Sequence, residues 1–144
     1  NVYALRSGTP VLTLKGDYLV DGMICAVLKE MDLDELCFKN VDEMKAQLTE
    51  IGIGQSYVGN CAVCFIWSAI PQRTEWRYAN HAKKNILIEA GHLGQNLYLA
   101  TEAINCGTCG IAAYDQTKVD ELLELDGIDE FVVYMMPVGK IVSR

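Results

Sequence analysis

Apolar residues recur along the chain at two spacings, and each spacing predicts an element. Val2 to Leu5 and Val11 to Leu14 are short extended runs joined by a segment from Arg6 to Pro10 that holds the glycine and proline of a hairpin loop. Ile24, Val27, Leu28 and Met31 give a helical rhythm between Asp21 and Met31, with Asp17 or Asp21 as its cap. Asp32 to Phe38 is a short acidic and apolar segment, a turn or a further piece of helix. Val41, Met44, Leu48 and Ile51 repeat the helical rhythm, and Gly52 and Gly54 mark its end. Cys61 to Ile70 is the most apolar run of the first half and reads as a strand covered on both faces. Pro71 to Tyr78 then leaves that strand as a polar, aromatic-bearing loop of the kind that hangs over a site.

The longest pattern begins at Asn85. Ile86, Ala90, Leu93, Leu97, Ala100 and Ile104 alternate steps of four and three, so they form one helical stripe that other parts of the protein must cover. Leu87, Gly91, Gly94, Tyr98 and Thr101 form a second row beside it. Each glycine there costs roughly 1 kcal/mol of helix propensity relative to alanine, which predicts close approach of another helix or of a second subunit. The helix runs out at Asn105. Gly107 and Gly110 bracket Thr108 and Cys109, glycine being the residue that ends a helix at least cost, and Ile111 to Tyr114 turn extended. Asp115 caps a short acidic helix reaching Leu123, and Phe131 to Val138 returns as a buried strand. The order ββ, αα, β, long α, β, α, β predicts an α+β fold. With no repeat, low-complexity stretch or linker, residues 1–144 read as one domain.

The 144 residues are 51% hydrophobic and 22% charged, enough for a sizeable core. A formal net charge of −7 disfavours nucleic acid and anionic membrane surfaces as partners, since both select basic clusters. Lys83 and Lys84 are the only adjacent basic pair. No apolar run is long enough to span a membrane, and the N-terminus lacks the order of a signal peptide, so a cytoplasmic protein is expected. The chain begins at Asn1 without an initiator methionine, which suggests a processed, trimmed or incomplete product.

Six cysteines include two CxxC pairs, Cys61 with Cys64 and Cys106 with Cys109. Such pairs can offer four thiolates to zinc, but the interval between them is far beyond the usual ribbon spacing. Cys61 and Cys64 also fall in the expected strand, where residues three apart point to opposite faces. Buried reduced thiols are the reading this favours over a zinc site or a redox disulfide at Cys106 and Cys109.

Glu89, His92 and Asn96 make a polar stripe on the long helix. An ExxH pair ligates iron only with a second such pair, which is absent, so no metal is expected and His92 reads as a hydrogen-bonded buried or interfacial histidine. His81 stands alone. Gly52 and Gly54 do not open a dinucleotide loop, because position 57 is tyrosine. The turn from Gly107 to Ala113 differs in kind. Its small residues would let backbone N–H groups reach the edge of a flat aromatic cofactor and stabilise electron density there. The alternative is that the turn only links a helix to a buried strand.

The stretch from Ile88 to Asp115, with the short acidic helix and the run from Phe131 to Lys140, closely resembles the C-terminal half of the nitroreductase superfamily of flavin oxidoreductases. The nearest branch resembles the SagB-type dehydrogenases. The resemblance implies an FMN-binding α+β fold with a mostly antiparallel sheet flanked by helices. It further implies a homodimer with the long helix in its interface and flavin bound between subunits. Gly110, Ile111, Ala112 and Ala113 match the loop beside the isoalloxazine, contacting it through their backbone. Lys140 or Arg144 matches loosely the basic residue that helps hold the FMN phosphate. Hydride would pass from NAD(P)H through flavin N5 to a small electron-poor acceptor. The family's N-terminal arginine-serine phosphate-binding motif has no counterpart before Val2, and a flavin-free, non-catalytic, dimerising or complex-forming relative is the alternative. Azoline dehydrogenases of this branch carry a Lys-Tyr pair where this chain has Arg77 and Tyr78. Arginine stays charged and cannot be that base, which argues against azole formation on a peptide and leaves Tyr78 as the catalytic acid.

Overall fold

The computed structural model describes residues 2–6, 12–14 and 41–141. The expected helix at 21–31 and the segment at 32–38 lie outside the described residues, as does Arg144. Strands β1 (Val2–Arg6) and β2 (Leu12–Leu14) pair antiparallel as the expected hairpin arms. Helix α1 (Val41–Ile51) matches its apolar rhythm, with Met44, Leu48 and Ile51 buried. A single turn, α2 (Ser56–Gly59), leads into β3 (Val63–Ala69). Helix α3 (Gln72–Tyr78), a 3-10 turn over Ala79–His81 and the long α4 (Ala82–Ala103) follow. Then come β4 (Cys106–Thr108), α5 (Gln116–Leu122) and β5 (Phe131–Lys140).

The sheet runs β2-β1-β3-β5-β4, and every pairing is antiparallel. Strand β3 is central, which is why its sequence is nearly all apolar. Cys64 and Ile66 join Met44, Leu48, Ile51, Val58, Val119 and Leu123 in the core under α1 and α5. Trp67 joins Leu97, Met136 and Val138 in the core under α4, with Val63 and Phe65 packed against it. The register between β3 and β5 shifts at Trp67 and Ser68, which pair with Tyr134 and Val132 and leave Val133 as the extra residue. This bulge puts Val132 and Met135 in the same core although they are three apart.

Two expectations are corrected. Residues 72–78 form α3 rather than a loop. Pro71 stands at its start, where a missing N–H costs nothing, and its carbonyl accepts from the N–H groups of Thr74 (2.8 Å) and Glu75 (2.9 Å). On α4 the buried line is Ala90, Gly94, Leu97 and Thr101, which straddles the two expected rows, while Ile104 is 66% exposed. Gly94 is approached by the sheet rather than by a helix or second subunit: a Cβ there would lie 2.9 Å from Cε1 of Tyr134 and 3.2 Å from the Met136 sulfur. A Cβ on Gly91 would meet nothing. At about 100° per residue, Leu87, Tyr98 and Gly91 flank the buried line on one side and Ile88 and Leu99 lie opposite it, and all five are exposed.

The residue that ends α4 in the left-handed region is Asn105, at φ 54°, not a glycine. Asparagine tolerates that region because its short side chain can bond locally. Asp115 caps α5 as expected, accepting from the Lys118 N–H at 3.2 Å. The Lys118 ammonium reaches Glu50 at 2.6 Å and so ties α5 to α1.

Candidate functional site

The turn after β4 is held from three sides. Its Gly110 N–H donates to the Tyr98 hydroxyl on α4 at 2.7 Å. Ile111 is buried and exchanges both backbone bonds with Met135 on β5, at 2.8 and 3.2 Å. The Ala113 carbonyl accepts from Nε2 of Gln55 at 3.1 Å, and the Asp115 N–H donates to the Ile51 carbonyl at 2.8 Å. Of the four backbone donors expected to face a cofactor, those of Gly110 and Ile111 are therefore already engaged. The N–H groups of Ala112 and Ala113 have no acceptor among the described residues, and both residues are exposed.

Gly110 is required by packing rather than by φ. A Cβ there would lie 2.7 Å from Cζ of Tyr134 and collide with its hydroxyl. Tyr134, Tyr98 and Tyr57 gather around Cys109 and Gly110, a cluster the linear pattern did not reveal. Burial first, then Tyr98 and Cys109, raises the Tyr134 hydroxyl pKa. Burial and the adjacent Cys109 thiol raise that of Tyr57, which donates to Oε1 of Gln55.

An open cleft of about 330 Å³ borders this turn, lined by Tyr57, Asn60, Cys61, Thr108, Cys109 and Lys140 among others. Lys140 sits opposite Cys106 in the register of β5 with β4, and its side chain is exposed. The Thr108 hydroxyl donates to the Pro137 carbonyl at 2.9 Å, fixing that wall.

Tyr78 does not line the cleft. It ends α3, exposed, with the Arg77 guanidinium 5.5 Å from its ring centroid. Glu89, His92 and Asn96 are exposed on α4, and Nδ1 of His92 lies 2.8 Å from the Ile88 carbonyl. Among the described residues no three His, Cys, Asp or Glu converge on a metal position, and no helix is long and apolar enough to cross a membrane.

The first cysteine pair departs from expectation. Cys61 lies ahead of β3, not within it, so the alternation of the strand does not separate it from Cys64; Cys61 packs against the core cluster that holds Cys64, and each lies close enough to shift the other's pKa, that of Cys61 down and that of Cys64 up. All four described cysteines are free thiols.

The sequence model described as the nitroreductase family matches residues 24–140. A protein of Methanocaldococcus jannaschii, named provisionally as a nitroreductase, is 26% identical over 99 residues, covering 69% of this chain and 48% of that protein. A provisionally named nitroreductase of Anabaena variabilis matches 98% of this chain and 27% of its own, with a TM-score of 0.72 at 22% identity. A chain of the E. coli microcin synthetase McbBCD complex, solved with truncated pro-MccB17 bound, matches 99% of this chain and 52% of its own, with a TM-score of 0.75 at 17% identity. At such identities the structures show the fold, which is nitroreductase-like α+β. The chain spans about half the length of the curated relative it matches.

Proposed function

The chain belongs to the nitroreductase family, and from that premise we propose that it is the FMN-binding part of an NAD(P)H-dependent oxidoreductase, of the SagB-type branch. The observation that carries this reading is the pair of N–H groups at Ala112 and Ala113 that have no acceptor among the described residues, on a turn that Tyr98, Met135 and Gln55 hold still. Two fixed donors flanked only by methyl groups fit the polar edge of a tricyclic ring. Lys140, exposed on the wall of the adjacent cleft, fits a phosphate as a point charge.

When bound, FMN would supply the chemistry of hydride transfer between a reduced nicotinamide and an electron-poor acceptor. The chain itself orients and polarises. Ala112 and Ala113 donate to the ring edge, the Ile111 bridge to Met135 keeps those donors from relaxing, and Lys140 neutralises charge at the far end. Tyr78 is proposed as the proton donor to the acceptor. It stands outside the cleft of a single chain, so it acts only where a second subunit or the acceptor is brought to α3.

The chain is proposed to work as a homodimer of one domain per subunit. Leu87, Ile88, Gly91 and Leu99 leave an exposed apolar arc on α4, which is the surface such a dimer would cover. A flavin-free complex-forming subunit would use the same arc. A visible spectrum of purified, desalted protein separates the two readings: flavin bands that persist support the oxidoreductase, and a colourless dimer that FMN does not recolour supports the alternative. Tyr78→Phe in the flavin-loaded protein lowers turnover with the acceptor and leaves flavin reduction by NAD(P)H intact; unchanged turnover removes Tyr78.

A further inference from the structure

Cys61 and Cys64 occupy two different environments, Cys61 at the edge of the core cluster that Cys64 belongs to. Cys61 is half-buried on the wall of the cleft, and its thiol lies 2.9 Å from the Val58 carbonyl. Cys64 is 0% exposed, the first inward residue of the central strand, packed beneath Cys61 in the core of α1 and α5. One thiol is therefore reachable from the cleft, and the other is closed off from solvent. We propose that Cys61 and Cys64 form a thiol–disulfide exchange site opening on this cleft, with a low-molecular-weight disulfide as co-reactant.

The local chemistry divides the labour. The neighbouring Cys64 first, and the backbone at Cys61 and Val138 after it, lower the Cys61 pKa despite burial. The neighbouring Cys61 and full burial push the Cys64 pKa up. Cys61 is thus the attacking thiolate and Cys64 the resolving thiol that keeps its proton until needed. The Cys61 thiolate attacks one sulfur of the small disulfide, whose S–S bond breaks and whose second half leaves as a thiolate and takes a proton. Cys64 then loses its proton and attacks the Cys61 sulfur of the mixed disulfide, expelling the first half as a thiol. Two protein thiols are oxidised to one disulfide, and one disulfide molecule is reduced to two thiols. Nothing in this sequence passes through flavin, so the site stands or falls separately from the oxidoreductase reading.

The test treats the full chain under native conditions with oxidised glutathione. Remaining thiols are then blocked with N-ethylmaleimide in denaturant and the cysteine peptides are mapped by mass. The expected result is a Cys61–Cys64 cross-link, lighter by two hydrogen atoms and lost on reduction with dithiothreitol. Cys64→Ser should leave glutathione on Cys61, and Cys61→Ser should leave Cys64 unreacted. The wild-type map decides alone if Cys64→Ser does not fold. A stable glutathione adduct on wild-type Cys61 with Cys64 free, adducts confined to Cys109, or no reaction at either residue would each overturn the proposal.

Discussion

The N–H of Gly110 donates to the hydroxyl of Tyr98 at 2.7 Å, joining the turn after β4 to the long helix twelve residues before it. That bond takes one donor away from any ligand and fixes the direction of the next two. Its removal has a readable cost. Tyr98→Phe should lower stability by about 1 kcal/mol, the net worth of one hydrogen bond, in urea unfolding monitored by circular dichroism. Gly110→Ala should cost more, about 1–3 kcal/mol, because its methyl group meets the Tyr134 ring and hydroxyl.

The two glycines of α4 have opposite surroundings and should respond with opposite signs. Gly91→Ala gains about 1 kcal/mol of helix propensity with nothing nearby to clash, provided unfolding is measured at dilutions where the chain is monomeric. Gly94→Ala loses about 1 kcal/mol net, since crowding at Tyr134 and Met136 outweighs the propensity gain.

Asp120 is a buried acid whose two oxygens are both used. Oδ1 accepts from the Val132 N–H at 2.8 Å and Oδ2 from Nε2 of Gln116 at 2.8 Å. Its charge, after burial, also pushes the Tyr114 hydroxyl pKa up to about 12. Asp120→Ala strands the Val132 N–H and should cost about 3 kcal/mol by the same unfolding measurement, while Asp120→Asn retains the acceptor for Val132 and should cost less.

The turn before β5 should loosen in acid. The Asp126 carboxylate accepts from the N–H groups of Glu130 (3.1 Å), Ile128 (2.9 Å) and Asp129 (2.8 Å), which together hold its pKa below the ordinary aspartate value. A depressed folded pKa means that this stabilisation is complete above the unfolded value, roughly 3.9, and is lost as pH falls through the lower folded value. Protection factors of the amides at residues 128–130, taken as exchange relative to the intrinsic rate at each pH, should therefore fall on acidification in the wild type, and Asp126→Asn should abolish that local pH dependence.

The parts of the fold written in short-range patterns were legible. The rhythm of Val41 to Ile51, the Asp115 cap and the apolar runs of β3 and β5 each report on neighbours within a turn or two. Helix α3 was obscured because PQRTEWRY buries none of its residues and so carries no apolar stripe; Pro71 at a helix start was the signal available. The site was half legible. Small residues marked the turn from Gly110 to Ala113, but which amides were engaged depends on Tyr98, Met135 and Gln55, whose partners sit in other elements. The contact between Cys61 and Cys64 was misread because the strand begins two residues later than the apolar run.

Ala112 and Ala113, and not Gly110 and Ile111, are proposed to present their N–H groups to the flavin. Titrating 15N-labelled protein with FMN and following the backbone amides by NMR tests it directly. Large saturable shifts are expected at Ala112 and Ala113, with much smaller ones at Gly110 and Ile111. Saturable FMN binding that leaves Ala112 and Ala113 unmoved would contradict it.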